Sequence, residues 1–210
     1  MLRSQASDNV STARVCDNAP MQAIDALLTR RSARALTDPA PDEAALAIMF
    51  ACAARAPDHG RLRPWRFVVV GNETRARFGE LLAEHLRRTH AQASAETLER
   101  ERQKAFRAPL IVVVAAHCNP AVKIPVIEQT LSAATAAHAI MLAACALGFN
   151  AMWKTGGPAY DPAVKRALGL EPDDAIVGFL YLGTEAQRTA PAPGQWRDLV
   201  RDFAEFPAAP

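Results

Sequence analysis

Between residues 130 and 149 the chain reads TLSAATAAHAIMLAACALGF, twenty residues without an acid, a lysine or an arginine. A helix apolar on every side has two homes, a lipid bilayer or the middle of a large protein core. Eight of these residues are alanine, and His138 sits near the centre, with Glu128 just upstream. Small side chains gain little from lipid but let neighbouring backbones approach closely. The stretch therefore reads as a buried core helix over 126–147, ended by Gly148 as a C-terminal cap. Most helical stability comes from packing, so the rest of the chain must supply apolar layers to cover it.

Three runs supply them: WRFVVVG at 65–71, LIVVVAA at 110–116 and AIVGFLYLG at 175–183. Continuous β-branched runs, rather than alternating ones, mark strands covered on both faces. NAMW at 150–153 adds a short fourth strand. Helices fill the intervals. The first, 21–31, places Ile24, Leu27 and Leu28 on one face and should be buried along it. A second opens with Pro41, Asp42 and Glu43 and is stopped by Pro57. Residues 73–88 are amphipathic through Phe78, Leu81, Leu82 and Leu86. A charged helix runs from Ser94, its N-cap, to Phe106. A short one, 161–168, carries Pro162 in its first turn. With no internal repeat and no linker, this order predicts one α+β domain over residues 21–210, with four or five strands and helices on both faces. Residues 1–20 are polar, lack the apolar segment of a signal peptide, and read as a mobile extension.

The net charge is only +2, which gives no global field for nucleic acid. Cys16, Cys52, Cys118 and Cys145 form no C-x-x-C pair, a pattern that suits a reducing, cytoplasmic setting rather than a disulfide framework. His117 and Cys118 are adjacent, but two neighbours do not make a metal site, and no metal is expected.

Chemistry concentrates in three stretches. RRSAR at 30–34 puts Arg30, Arg31 and Arg34 around the hydroxyl of Ser32. A basic helix end complements the helix dipole, while arginine forks beside a hydroxyl suit an anion such as phosphate. RAPDHGRLRPW at 55–65 supplies Arg55, His59, Arg61 and Arg63 in a loop, with Asp58 as a local partner for His59. AMWKTGGPAY at 151–160 sets Trp153, Lys154 and Thr155 before two glycines; this is an ordinary turn or a place where backbone approaches a ligand. No phosphate-loop, dinucleotide-fold or nucleophile-elbow spacing is present. The residues themselves thus point to a phosphorylated small ligand and name no reaction.

In this order the stretches RRSAR, RAPDHGRLRPW before RFVVV, RAPLIVVVAA, LGFNAMWKTG and VGFLYLG resemble the nitroreductase family of flavoproteins, in its small bacterial NAD(P)H nitroreductase subgroup, from about residue 21 to 184. The resemblance implies a mixed sheet flanked by helices and a homodimer holding FMN between subunits, each FMN touched by both chains. It implies that Arg30, Arg31 and Ser32 hold the FMN phosphate, that Arg55 and His59 reach the flavin from one chain, and that Trp153, Lys154 and Thr155 complete the cradle. Arg34 falls where relatives place a cation near the flavin. Many members read N-x-Q-P-W where this chain has Arg61, Leu62, Arg63, Pro64 and Trp65, so Arg61 and Arg63 stay outside the expected site. The implied reaction is ping-pong: NAD(P)H gives hydride to flavin N5, and a nitroaromatic or quinone then accepts the electrons. The flavin carries the chemistry, so no catalytic side chain is expected. The alternatives are another physiological redox substrate on the same fold, and a non-catalytic anion- or nucleotide-binding protein. No membrane or nucleic-acid partner is expected.

Overall fold

A computed structural model of the protein describes residues 21–33 and 35–185. The expected extension, residues 1–20, lies outside them, as do Arg34, Cys16 and the tail from residue 186. In chain order the elements are α1 (Ala23–Thr29), α2 (Glu43–Ala53), β1 (Trp65–Val70), α3 (Asn72–Thr89), α4 (Ala95–Gln103), β2 (Leu110–Ala116), α5 (Val126–Ala146), β3 (Asn150–Lys154), α6 (Pro162–Ala167) and β4 (Ala175–Gly183).

The strands form a sheet of order β1-β2-β4-β3, antiparallel at every pairing. The parallel component of the expected mixed sheet is one bridge, Ser32 to Ala151, beside β3. Alternation along the strands divides the core. Ile111, Val113, Ile176 and Phe179 face α3 and α6, packing with Phe78, Leu82 and Val164. Val112, Val114, Leu180 and Leu182 face α5 and α2, packing with Ile140, Met141, Ala136 and Met49. Both faces of β2 are therefore covered, which is why it reads as an unbroken apolar run, whereas the edge strand β1, expected to be covered on both sides, leaves Val69 43% exposed.

Local signals match these elements. Ser94 caps α4 by accepting from the Thr97 amide at 3.2 Å, and Asp42 caps α2 by accepting from Ala45 at 2.8 Å. The chain leaves α5 through Gly148 at φ 86°, a left-handed turn that glycine adopts without strain. α5 is the one described helix long and apolar enough to span a membrane, and half of it is buried inside the protein. Its alanines meet α2 and the sheet, and Gln129 at its start is 2% exposed, with its side chain bonded to Asn119 and Ile124 of the β2–α5 connection.

α1 departs from expectation. Its buried residue is Ala26, while Ile24, Leu27 and Leu28 are exposed, Leu28 at 72%. Helical periodicity shows that an apolar face exists; what covers it is a tertiary matter.

Candidate functional site

α1 ends at Arg30, and the chain then runs along the outer edge of the sheet. Ser32 bridges Ala151, and the Ala33 amide donates to the Ala151 carbonyl at 3.3 Å. Trp153, Lys154 and Thr155 follow two to four residues further, about 7–13 Å at the rise of a strand. Two stretches separated by more than a hundred residues of sequence thus meet on one edge. Lys154 and Thr155 are exposed there, Ser32 is exposed and Arg30 half-buried. Among the described residues none of these four side chains has a hydrogen-bond or ion-pair partner.

Arg31 differs. Its guanidinium grips both carboxylate oxygens of Glu185, and Asn150 donates to the same carboxylate at 3.2 Å. The pair is 18% and 9% exposed, so a bidentate, largely desolvated bridge neutralises Arg31. It anchors the segment rather than offering an open charge. Sequence spacing carried no signal for Glu185, which lies 154 positions away.

Trp153 is placed by an irregularity. The β2–β4 register slips between Val114 and Ala115, leaving Val177 unpaired opposite β2. The Trp153 indole donates to the Val177 carbonyl at 3.3 Å and lies on Gly178, where a Cβ would come within 2.1 Å of Nε1. A glycine inside an apolar strand is the signal for such a close approach.

Arg55 and His59 stand elsewhere. Arg55 follows α2, and the loop after it is tied to the start of α5: Ser132 donates to the Pro57 carbonyl at 2.8 Å, and His59 Nδ1 lies 2.6 Å from Glu128. The Asp58 carboxylate takes the Arg63 amide at 2.7 Å, so the expected Asp58–His59 pair is replaced by His59–Glu128. Both partners are open to water, 67% and 42% exposed. Arg61 and Arg63 adopt φ of 56° and 49°, left-handed conformations that cost a non-glycine residue on the order of 1–3 kcal/mol. The other cluster touches the far end of α5, where Thr29 Oγ1 lies 3.8 Å from Cys145 Sγ. Glu128 and Cys145 are about 25 Å apart along the helix axis. Arg30, Arg31 and Ser32 thus lie beside the start of β3, Trp153, Lys154 and Thr155 lie further along the same edge, and Arg55 and His59 stand by the start of α5.

Open cations beside hydroxyls on an exposed edge can bind an anion; they lack the paired nucleophile and base of covalent catalysis. Among the described residues no group of three or more His, Cys, Asp and Glu is placed to hold a metal. Two carboxylates pair with histidines away from this edge, the half-buried Asp161 with His85 at 2.7 Å and the buried Asp174 with His117 at 2.8 Å. Burial alone would raise the Asp161 carboxyl; His85, Arg88 and the Ala163 amide outweigh it and hold the group well below the usual carboxylate range.

Comparison with known proteins gives the family. The model described as "Nitroreductase family" matches residues 27–184, a span containing all eight candidate residues. The Escherichia coli (strain K12) protein named "Putative NAD(P)H nitroreductase YdjA" is 40% identical over 164 residues, 78% of this chain and 88% of that one. The nitroreductase-like family protein from Bacillus cereus shares the fold with a TM-score of 0.75 at 22% identity, over 90% of this chain and 99% of that one. The FMN and NADPH-dependent nitroreductase NfnB from sphigopyxis sp. strain HMH superposes with a TM-score of 0.66 at 23% identity, over 89% and 100% of the two chains. By the extent of the family match and the identity to its relative, the chain belongs to the nitroreductase family.

Proposed function

We propose that the protein is an FMN-dependent NAD(P)H oxidoreductase that reduces nitroaromatics or quinones by a ping-pong route. The observation that carries this reading is the edge along which Arg30 and Ser32, then Lys154 and Thr155, lie without side-chain partners among the described residues. A cation and a hydroxyl side by side suit a phosphate monoester, which needs both charge and short donors. The family relatives named for NAD(P)H and for FMN support the choice of cofactor and reductant.

When bound, FMN would supply the two-electron redox chemistry between NAD(P)H and the second substrate. In this reading Arg30 would neutralise the phosphate and Ser32 would donate to it, while Lys154 and Thr155, further along the edge, would complete the cradle. Arg31, already neutralised by Glu185, fixes the segment that carries Arg30 and Ser32. Trp153, locked on Gly178, forms a rigid apolar wall that excludes water. No side chain acts as nucleophile or general base.

The separation of the two clusters supports a homodimer. Ile24, Leu27 and Leu28 are exposed at the Arg30 end, and Val126, Ile127 and Leu131 at the His59 end of α5. Exposed apolar patches of this kind mark interfaces. A two-fold dimer places one surface against another reciprocally, so the α1 patch of one copy against the start of α5 in the second brings Arg55 and His59 of that copy to the phosphate-binding edge. Each site then draws on both chains. The free thiols Cys52, Cys118 and Cys145 fit a reducing compartment, and we place the activity in the cytoplasm.

The test is the visible spectrum of the purified protein before and after NADH or NADPH. The reading expects a flavin band bleached by one or both, and reoxidation by nitroaromatic or quinone acceptors. A colourless protein that takes up no FMN rejects it. A bleached flavin reoxidised fast only by some other acceptor moves the protein to a different redox substrate.

A further inference from the structure

We propose that His85, held by Asp161, is a positioning residue that sets the loop carrying Lys154 and Thr155, and so tunes FMN affinity from outside the binding edge; this rests on the FMN reading above. The chain leaves β3 at Lys154, passes Thr155 and turns at Gly156, whose φ of 114° suits glycine. A short turn, Gly157–Tyr160, follows, and Asp161 then caps α6 by accepting from the Ala163 amide at 2.7 Å. The loop thus runs from the last residue of a strand to one carboxylate, with Ala159 seated in the core between them.

That carboxylate is held from α3. Its Oδ2 accepts from His85 Nδ1 and from Arg88, both at 2.7 Å. Residues three apart lie on one helical face, which lets both donors reach one oxygen. The His85 and Asp161 side chains are each 13% exposed, so the contact works where water screens it little. Both carboxylate oxygens are spent. With Nδ1 committed to Asp161, the ring is fixed in orientation and its other nitrogen faces the loop. A Cβ built on Gly157 would lie 2.6 Å from His85 Nε2 and 3.3 Å from Cε1. The imidazole edge therefore rests against the Gly157 backbone, two residues after Thr155. Gly157 does not have the positive φ of its neighbour, so alanine there meets the ring and no backbone penalty.

A plain staple between α3 and α6 would stabilise the fold without sensing residue 157. The two roles separate in a double-mutant cycle of His85→Ala and Gly157→Ala, read as FMN dissociation constants by flavin fluorescence on protein stripped of FMN. Each single change displaces the loop and raises the constant roughly tenfold. In the double variant the new methyl enters the space the ring vacated, and the loss stays near that of His85→Ala alone. His85→Asn, whose amide replaces the Nδ1 donor, recovers to within about threefold of wild type. Unchanged affinity in the single variants, or losses that multiply to about a hundredfold in the double, overturns the proposal. Hydrogen exchange of the amides of residues 154–160 without FMN gives a second readout. Both single changes lower protection there, and the double lowers it no further than His85→Ala; unchanged protection also overturns the clamp. Wild-type protein that binds no FMN rejects the cofactor reading, and the exchange data alone then decide whether His85 holds the loop.

Discussion

The two basic regions are of similar composition and opposite physical character. At the β3 edge, Arg30–Ser32 is bridged to the sheet, and the Arg31–Glu185 pair is 18% and 9% exposed. At the start of α5, the His59–Glu128 pair is 67% and 42% exposed, and the loop behind it holds Arg61 and Arg63 in left-handed backbone. One region is a rigid mount with open cations beside it. The other is a solvated loop bearing strain, waiting for something to lean on. Geometry, not residue type, separates them.

Changes that break the contrast should differ in size accordingly. The largest effect is expected where the two regions meet through a second copy. Leu27→Glu or Ile127→Glu puts a charge into the proposed interface and should raise the dimer dissociation constant by roughly 100-fold or more, about 3–4 kcal/mol. Analytical ultracentrifugation reads it, and a protein already monomeric before mutation removes the shared-site model. Next comes Glu185→Ala, which removes the largely buried bidentate carboxylate from Arg31 and should cost about 2–3 kcal/mol in urea unfolding. Arg30→Ala, by contrast, should leave the fold intact and weaken FMN binding by about 2 kcal/mol, through loss of a charge-assisted contact. Equal FMN affinity in that variant counts against the phosphate role of Arg30.

Asp161→Asn keeps the α6 cap but removes the charge that His85 and Arg88 share, a loss of about 1.5 kcal/mol at neutral pH. The folded carboxyl is held below its unfolded value of about 4, so the stabilisation is complete above that pH and drains away as pH falls beneath it. The melting-temperature gap between the variant and wild type should therefore narrow between about pH 5 and 3; a constant gap contradicts the ionised cluster. The smallest effect belongs to Glu128→Ala, which removes a solvated pair and should change stability by less than about 0.5–1 kcal/mol. A loss as large as that of Glu185→Ala would erase the distinction between the regions.

Much of the frame was legible residue by residue. Ser94 and Asp42 announce their helices because a short side-chain oxygen meets a free amide only at an N-terminus. Gly148 ends α5 for an equally local reason, whereas α2 stops at Ala53, short of Pro57. The unbroken runs at β2 and β4 told that both sheet faces are covered. The meeting of Ser32 with Ala151 was not legible in spacing, and only the family resemblance grouped RRSAR with WKT. Glu185 carried no pattern at all, since ion pairing depends on where chains pass and not on interval. Gly178 does not name the ring that lies on it, and the bulge at Val177 that receives the Trp153 indole depends on β-sheet register.

By itself, then, the chain determined its elements, its two-sided α+β core and the family pattern of its basic motifs, because periodicity, capping and turn chemistry act over a few neighbouring residues. The tertiary structure decided which of those basic groups are open and which are spent. It neutralised Arg31, left Arg30 and Lys154 without partners among the described residues, and parted His59 from Ser32 by nearly the length of α5. It also left the apolar face of α1 uncovered. Burial and partnership are properties of packed surfaces, and two residues far apart in sequence acquire them only when the sheet and α5 have set the distances between them.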